Sequence, residues 1–462
     1  MDKFVNPLFL PLVWLSAATL TACAPDDLPR KPWQEELTVI VTPAENNVDA
    51  EFEQQLVALL AKQLQVKIRL LPLPLEQVIP SLMANKAHIA AAGLRRDEHS
   101  GLRYGPSYQT VTEQVVCSGS PPLRMNDLLN KTIAVAAGSA QAAALLEIQQ
   151  KLPALHWQVR QAQTAADFLA EVAAEKLECT VANEEQVALA RNYHADLDAA
   201  FGFAVPSRLA WAFAPDTDAE LLAEVQKFFA LIKQDGALRR LLDRYYGHNE
   251  RLEPVDAVAF ITKTRTVLPH FRYLFEEAAT LTGIDWKLLA AMAYQESHWD
   301  PLATSRTNVR GMMMLTEDTA DRMNVTNRLD ARQSIMAGAR YLQLLKEQLP
   351  LRIDEPDRTW LALAAYNQGS GHLEDARILA KQAGLNPDAW ADVKKVMPLL
   401  ADPLYAEQTK HGSARGGEAV IFTETVRLHH DILKKLNTRE MPRLQPESYN
   451  LQFLNKNRWI PP

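Results

Sequence analysis

Asp285-Trp286-Lys287-Leu288-Leu289-Ala290-Ala291-Met292-Ala293-Tyr294-Gln295-Glu296-Ser297-His298-Trp299-Asp300-Pro301 is the stretch from which the rest of this chain is read. Asp285 is a residue type that caps helix starts, and the apolar positions after it recur at helical spacing. Leu288, Met292 and Glu296 stand four apart, so the acid continues an apolar stripe. A carboxyl withdrawn from water is harder to ionise, and its pKa rises toward the range in which it holds a proton near neutral pH, as a general acid must. Pro301 predicts a helix boundary near Asp300, which leaves Glu296 in the last turns, where a cleft can begin. Asp300 is read as fixing that turn rather than as a second acid.

Two later segments bear on the same site: Val309-Arg310-Gly311-Met312-Met313-Met314-Leu315-Thr316 and Ala364-Ala365-Tyr366-Asn367-Gln368-Gly369. Gly311 permits close approach of the backbone to a sugar ring, and the methionines are either a flexible, polarizable cleft wall or plain core filler. Tyr366 and Asn367 offer an aromatic face and a two-way amide suited to sugar hydroxyls and acetamido groups. Alternatively, Tyr366 extends the buried helix that begins at Trp360.

Taken in this order, Glu296-Ser297, the Gly311–Leu315 segment and Ala365-Tyr366-Asn367 resemble the lytic transglycosylases of the lysozyme-like superfamily. The resemblance implies an all-α lysozyme-like domain acting on peptidoglycan glycan strands, with Glu296 as the catalytic acid/base and no metal or other cofactor. Ser297 would orient the acid, and Gly311, Met312, Met313, Tyr366, Asn367 and Phe422 would line the substrate cleft. It also implies cleavage of the MurNAc-GlcNAc β-1,4 bond without hydrolysis, leaving 1,6-anhydroMurNAc ends. Most glycosidases need a flanking pair of carboxylates; in this family one carboxyl protonates the leaving oxygen and then takes the proton of the C6 hydroxyl. The family's domain closes with an acidic residue followed four positions later by Tyr-Val, whereas here Glu418 is followed by Phe422. The lost hydroxyl implies a slower enzyme, since one hydrogen bond is worth on the order of 1–3 kcal/mol. It also keeps open a rival reading, a catalytically weak peptidoglycan-binding or sensor scaffold.

Upstream, Leu37–Val41, Val66–Leu70 and Ala87–Ala92 read as strands separated by helices over Glu51–Leu64 and Leu75–Asn85, a βαβαβ opening of an α/β domain. A second lobe begins at Thr132-Ile133-Ala134-Val135 and runs through a helix to Cys179–Ala182. Gly93-Leu94, Tyr104–Tyr108, Val135–Ser139 and Gly236-Ala237-Leu238 resemble the family 3 periplasmic solute-binding proteins, which also form the first half of one branch of these transglycosylases. The resemblance implies a two-lobed regulatory domain closing on a small ligand near Arg95, Arg96, Ser100, Gly138, Ser139 and Asn183. Ser100 and Asn183 stand where that family carries the Arg and Asp that clamp an amino acid, so a muropeptide effector, or none, is expected.

The chain has 462 residues with net charge −7, so no global basic field favours nucleic acid. The expected divisions are a lipoprotein signal peptide over 1–22, a linker over 23–36, the solute-binding-like domain over 37–247, a linker over 248–265, the transglycosylase domain over 266–436 and a polar extension over 437–462. An apolar stretch ending in Leu20-Thr21-Ala22-Cys23 resembles a bacterial lipoprotein signal, with Cys23 lipidated. Ala24 after it implies anchoring to the outer membrane, with the protein facing the periplasm. No later run reaches the ~18 apolar residues of a membrane span. Cys117 and Cys179 are permitted to bridge in an oxidising compartment, but sequence cannot bring them together.

Overall fold

The computed structural model describes residues 31–436 apart from 46, 195, 204 and 249–253. The signal peptide, Cys23 and the 437–462 extension lie outside the described residues.

The first half is an α/β pair of lobes. Leu37, Val39, Ile40 and Val41 make Glu36–Val41 a strand buried from Leu37 onward, and it pairs in parallel with Lys67–Pro72 and Ile89–Ala91. Ala212–Phe213 and Arg103–Tyr104 complete this sheet in antiparallel fashion. The second sheet runs in the order Ala199–Gly202, Glu113–Cys117, Cys179–Asn183, Ile133–Ala136, Gln158–Arg160. It therefore begins at Glu113, earlier than the sequence pattern suggested, because its first strand is antiparallel and lacks the preceding helix of a βαβ unit. The strands Gln109–Val111 and Ser207–Leu209 form a separate ribbon where the chain crosses between lobes. Cys117 lies opposite Cys179 on neighbouring strands, and the two are joined by a disulfide.

Lys31–Glu36 is not the linker expected from sequence. Pro32–Glu35 forms a short helix whose Trp33 is buried in the first lobe's core, and Lys31 pairs with Asp218 at 2.8 Å and Glu220 at 2.7 Å. The 248–265 linker is corrected in the same way: Pro254–Thr266 is a helix, and its Phe260 is fully buried in the core of the second half.

That second half is helical, built from Pro254–Thr266, Leu268–Thr282, Trp286–Ser297, Ala331–Gln348, Asp357–Gln368, Ser370–Gln382, Trp390–Val396 and Gly416–Lys435 with shorter turns between. Among the described residues no helix is long and apolar enough to cross a membrane. The helix Ala237–Tyr246 fastens the first half to the second. Arg239 and Arg240 face Asp392, and Arg244 meets Asp357 at 3.0 Å. Arg427 donates to the carbonyls of Asp243 and Arg244 at 3.2 and 3.1 Å while pairing with Glu424 at 2.6 Å. Lys394 joins Asp243 at 2.7 Å to Glu424 at 2.8 Å. Burial alone would push the Glu424 carboxyl up, but Arg427 and Lys394 more than offset it and hold it at about 2.

Candidate active site

Asp285 accepts from the Lys287 amide at 3.0 Å and starts the helix Trp286–Ser297, in which every residue from Leu288 to Tyr294 is buried. Leu288 and Met292 face the core, and Glu296 stands half-buried at the end of their stripe. Among the described residues nothing hydrogen-bonds its carboxyl. Burial pushes that carboxyl from its ordinary 4.5 up to about 8, so it is an acid at neutral pH.

The helix ends at Ser297, short of Asp300, because His298 and Trp299 both take left-handed backbone, with φ of 53° and 62°. The reversal turns the Trp299 ring back under the helix, where Nε1 donates to the Ala290 carbonyl at 2.8 Å. Asp300 accepts from the Leu302 amide at 2.9 Å, the turn-fixing role its position suggested. Phe260, from the helix read as a linker, packs on Tyr294, Trp299 and His429 with ring centres 4.7, 5.7 and 4.2 Å away. Burial lowers the His429 pKa to about 3, so this ring is neutral and acts as part of an aromatic plug.

Ser297 does not turn toward Glu296. Its Oγ donates to the Met312 carbonyl at 2.8 Å, tying the acid's helix to the methionine segment. Gly311 is also reassigned: its φ is +85°, and a Cβ there would lie 1.8 Å from the Arg328 carbonyl oxygen. The close approach is to the protein's own backbone and not to a sugar. Met312 and Met313 are fully buried, core residues rather than a cleft surface. Phe422 is likewise buried in the core, on the helix Gly416–Lys435, and so lines no open surface.

Tyr366 sits at the end of the helix Asp357–Gln368 and donates its hydroxyl to the Met313 carbonyl at 3.0 Å. Burial, and then the nearby Glu296 charge, hold its pKa well above the ordinary value, so it is a neutral donor beside the acid. Asn367 is exposed, and its Oδ1 accepts only from Gln368 at 3.2 Å. The end of the acid's helix and Tyr366 thus meet on the methionine segment, which Ser297 and Tyr366 both bond, and Asn367 follows Tyr366 at the exposed helix end. Among the described residues no second carboxylate bears on the Glu296 charge, and no group of acids, histidines and cysteines could hold a metal ion. The arrangement is a single half-buried carboxyl without a hydrogen-bond partner among the described residues, able to give up one proton and take one back.

Sequence reasoning missed the residues that support it. Ser334, whose Oγ accepts from the Met313 amide at 3.1 Å, and Gly338, which Met313 covers, lie on Ala331–Gln348. They lie far from the motif in sequence, and nothing local marks them.

In the α/β half, the candidate ligand residues are largely engaged already. Arg95 pairs with Glu147 of the other lobe at 2.5 Å, and Gly138 packs against Leu75, whose carbonyl lies 3.0 Å from where a Cβ would sit. Ser139 caps its helix by accepting from the Ala142 amide, and Asn183 does the same for Gln186 while its own amide donates back to Gln186. Arg96 and Ser100 sit apart, near Glu98 and on the Asp97 carbonyl. Asp49, unanticipated, joins the lobes by accepting from Gln186 at 2.7 Å and from Tyr246 at 2.9 Å.

Residues 273–386 match the model of the transglycosylase SLT domain, and residues 47–248 match that of the bacterial extracellular solute-binding proteins, family 3. Membrane-bound lytic murein transglycosylase F of Methylobacillus flagellatus is 45% identical over 451 residues, 94% of this chain and 95% of that protein. The protein of the same name from Nitrosospira multiformis is 49% identical over 390 residues, covering 84% of this chain and 81% of its own. That of Thiobacillus denitrificans is 42% identical over 367 residues, 78% of each.

Proposed function

For a chain that belongs to the membrane-bound lytic murein transglycosylase F family, we propose that Glu296 is the one carboxyl that carries out both proton transfers. The protein is a peptidoglycan lytic transglycosylase with a solute-binding regulatory half. In the first step the Glu296 proton passes to the glycosidic oxygen as the MurNAc C1–O bond breaks. In the second the Glu296 carboxylate takes the proton of the C6 hydroxyl while O6 bonds to C1, which closes the 1,6-anhydro ring and restores the acid. The substrate's own acetamido group steadies C1 between the steps, in place of a second carboxylate. The observation that carries this reading is the half-buried, unpaired carboxyl, raised in pKa by burial, beside a neutral phenol.

Tyr366 and Asn367 meet the sugar, and Ser297, Gly311, Met312 and Met313 shape the wall behind it. Phe422 leaves the acid without a supporting hydroxyl. Cys23 carries the acyl anchor that holds the enzyme to the outer membrane on its periplasmic side, and a muropeptide is the effector of the two-lobed half. The working division places the regulatory domain at 37–247 and the catalytic domain at 266–436, each extended by the flanking helix that packs into it.

Mass spectrometry of purified sacculi digested by the protein tests the chemistry. Products ending in 1,6-anhydroMurNAc are expected; reducing ends alone would make it a hydrolase.

A further inference from the structure

Hydroxyls from three helices hold the backbone of Met312 and Met313. Ser297 donates to the Met312 carbonyl at 2.8 Å, Tyr366 donates to the Met313 carbonyl at 3.0 Å, and Ser334 accepts from the Met313 amide at 3.1 Å. Ser334 is fully buried in the first turn of the helix Ala331–Gln348. One turn further on, Gly338 lies under the Met313 side chain, and a Cβ there would fall 2.7 Å from Met313 Cε and 2.8 Å from Cγ. One helix therefore sets the height of Met313 twice, by its amide and by its side chain.

The Met312–Met313 peptide joins Ser334, which accepts from the Met313 amide, to Ser297, which donates to the Met312 carbonyl and directly follows Glu296; the carbonyl of the next peptide, that of Met313, accepts from Tyr366. We propose that Ser334 is a positioning residue for Glu296, acting through the Met312–Met313 peptide and the Ser297 hydroxyl. Without its hydroxyl the Met313 amide is a buried donor with no partner, a state that favours rotation of the peptide or entry of water. Either outcome takes the Met312 carbonyl away from the Ser297 hydroxyl, loosens the last turn of the acid's helix and wets the flank of the acid. A wetter carboxyl ionises more readily, so the proton that catalysis needs is lost at lower pH. The titratable groups on this side are Tyr366 from Asp357–Gln368 and, ring to ring with it at 5.4 Å, Tyr341 from Ala331–Gln348. From the helix Gly416–Lys435, His429 packs on Tyr294 of the acid's helix with ring centres 5.0 Å apart, and burial keeps it neutral, while Phe422 does not titrate.

The inference rests on Glu296 being the acid, and the test separates the two. In the full-length protein, Ser334→Ala, Ser334→Cys and Glu296→Gln are compared on soluble uncrosslinked glycan strands, with kcat and KM followed across the pH range and melting temperature recorded. Ser334→Ala should lower kcat about tenfold, the worth of one such hydrogen bond, with KM nearly unchanged. Its alkaline limb should move to lower pH. Ser334→Cys, which keeps the volume and a weak acceptor, should recover part of both changes. A wild-type kcat in Ser334→Ala, or a kcat loss with the alkaline limb unmoved, would overturn the positioning role while an inactive Glu296→Gln leaves the acid in place. Near-normal turnover by Glu296→Gln would instead remove the acid itself.

Discussion

Glu296 is informative because its environment is local. The residues that dry it, Leu288 and Met292, come one and two turns earlier on the same helix, so their spacing was legible in the sequence. Glu296→Gln keeps the shape and removes the proton, and glycan cleavage should fall by about two decades or more. The same variant should reveal the burial. A carboxyl whose pKa rises from 4.5 to about 8 on folding contributes stability that is fully present below 4.5 and lost as pH rises through 8. The melting temperature of wild type should therefore fall relative to Glu296→Gln between those values, and a gap that stays constant with pH would mean that the carboxyl is not dry. Gly311 shows the opposite case. Its motif was legible but its reason was not, because the atom that demands glycine is the carbonyl oxygen of Arg328. Gly311→Ala meets both that clash and a left-handed backbone, and should destabilise by about 3 kcal/mol or more in chemical denaturation.

The helix Pro254–Thr266 is the element that sequence reading gave away. Glu253-Pro254 looked like punctuation, yet proline is well suited to the first turn of a helix, where its missing N–H costs nothing, and that signal was available. What could not be read was the destination of Phe260, between Tyr294 and Trp299 on either side of Glu296 and against His429 far along the chain. The connection from the regulatory half thus ends on the last turn of the acid's own helix. Phe260→Ala should cost about 3–5 kcal/mol, as truncation of a buried aromatic does. It should also lower kcat at temperatures where the protein remains folded, with glycan affinity unaffected. Unchanged kcat in the folded variant would leave the helix a merely structural fastening. The strands fared better, because β-rich runs such as Leu37–Val41, apolar but for Thr38, report a strand buried on both faces without help from distant residues.

At the scale of the molecule, the two halves and their order were legible because each carries its own periodicity, but how they meet was not: the ion pair of Arg244 with Asp357 and the hydrogen bond of Arg427 to the Asp243 carbonyl join residues that only the folded chain brings together. The regulatory cleft follows the same rule. Arg95 is committed to Glu147 and Asn183 to Gln186, so a free amino acid would find neither a cation for its carboxylate nor an anion in place of Asn183 for its ammonium. Losing both contacts should cost on the order of a hundredfold or more in affinity, and calorimetry should detect no millimolar binding of free amino acids. Micromolar binding of any one would show that Arg95, Arg96 or Arg103 has replaced the clamp. Between the halves, Arg427 and Glu424 are both buried, and Arg427 spans to the end of the helix Ala237–Tyr246. Arg427→Met leaves Glu424 with Lys394 as its remaining cation and removes the guanidinium that reaches the Asp243 and Arg244 carbonyls, a loss of about 3–5 kcal/mol for a broken buried pair. That loss falls on the contact that makes the halves unfold together. Scanning calorimetry should show one transition in wild type and two in Arg427→Met, the earlier belonging to whichever half is less stable alone; a single transition in the variant, merely shifted, would mean that the remaining pairs suffice to couple them.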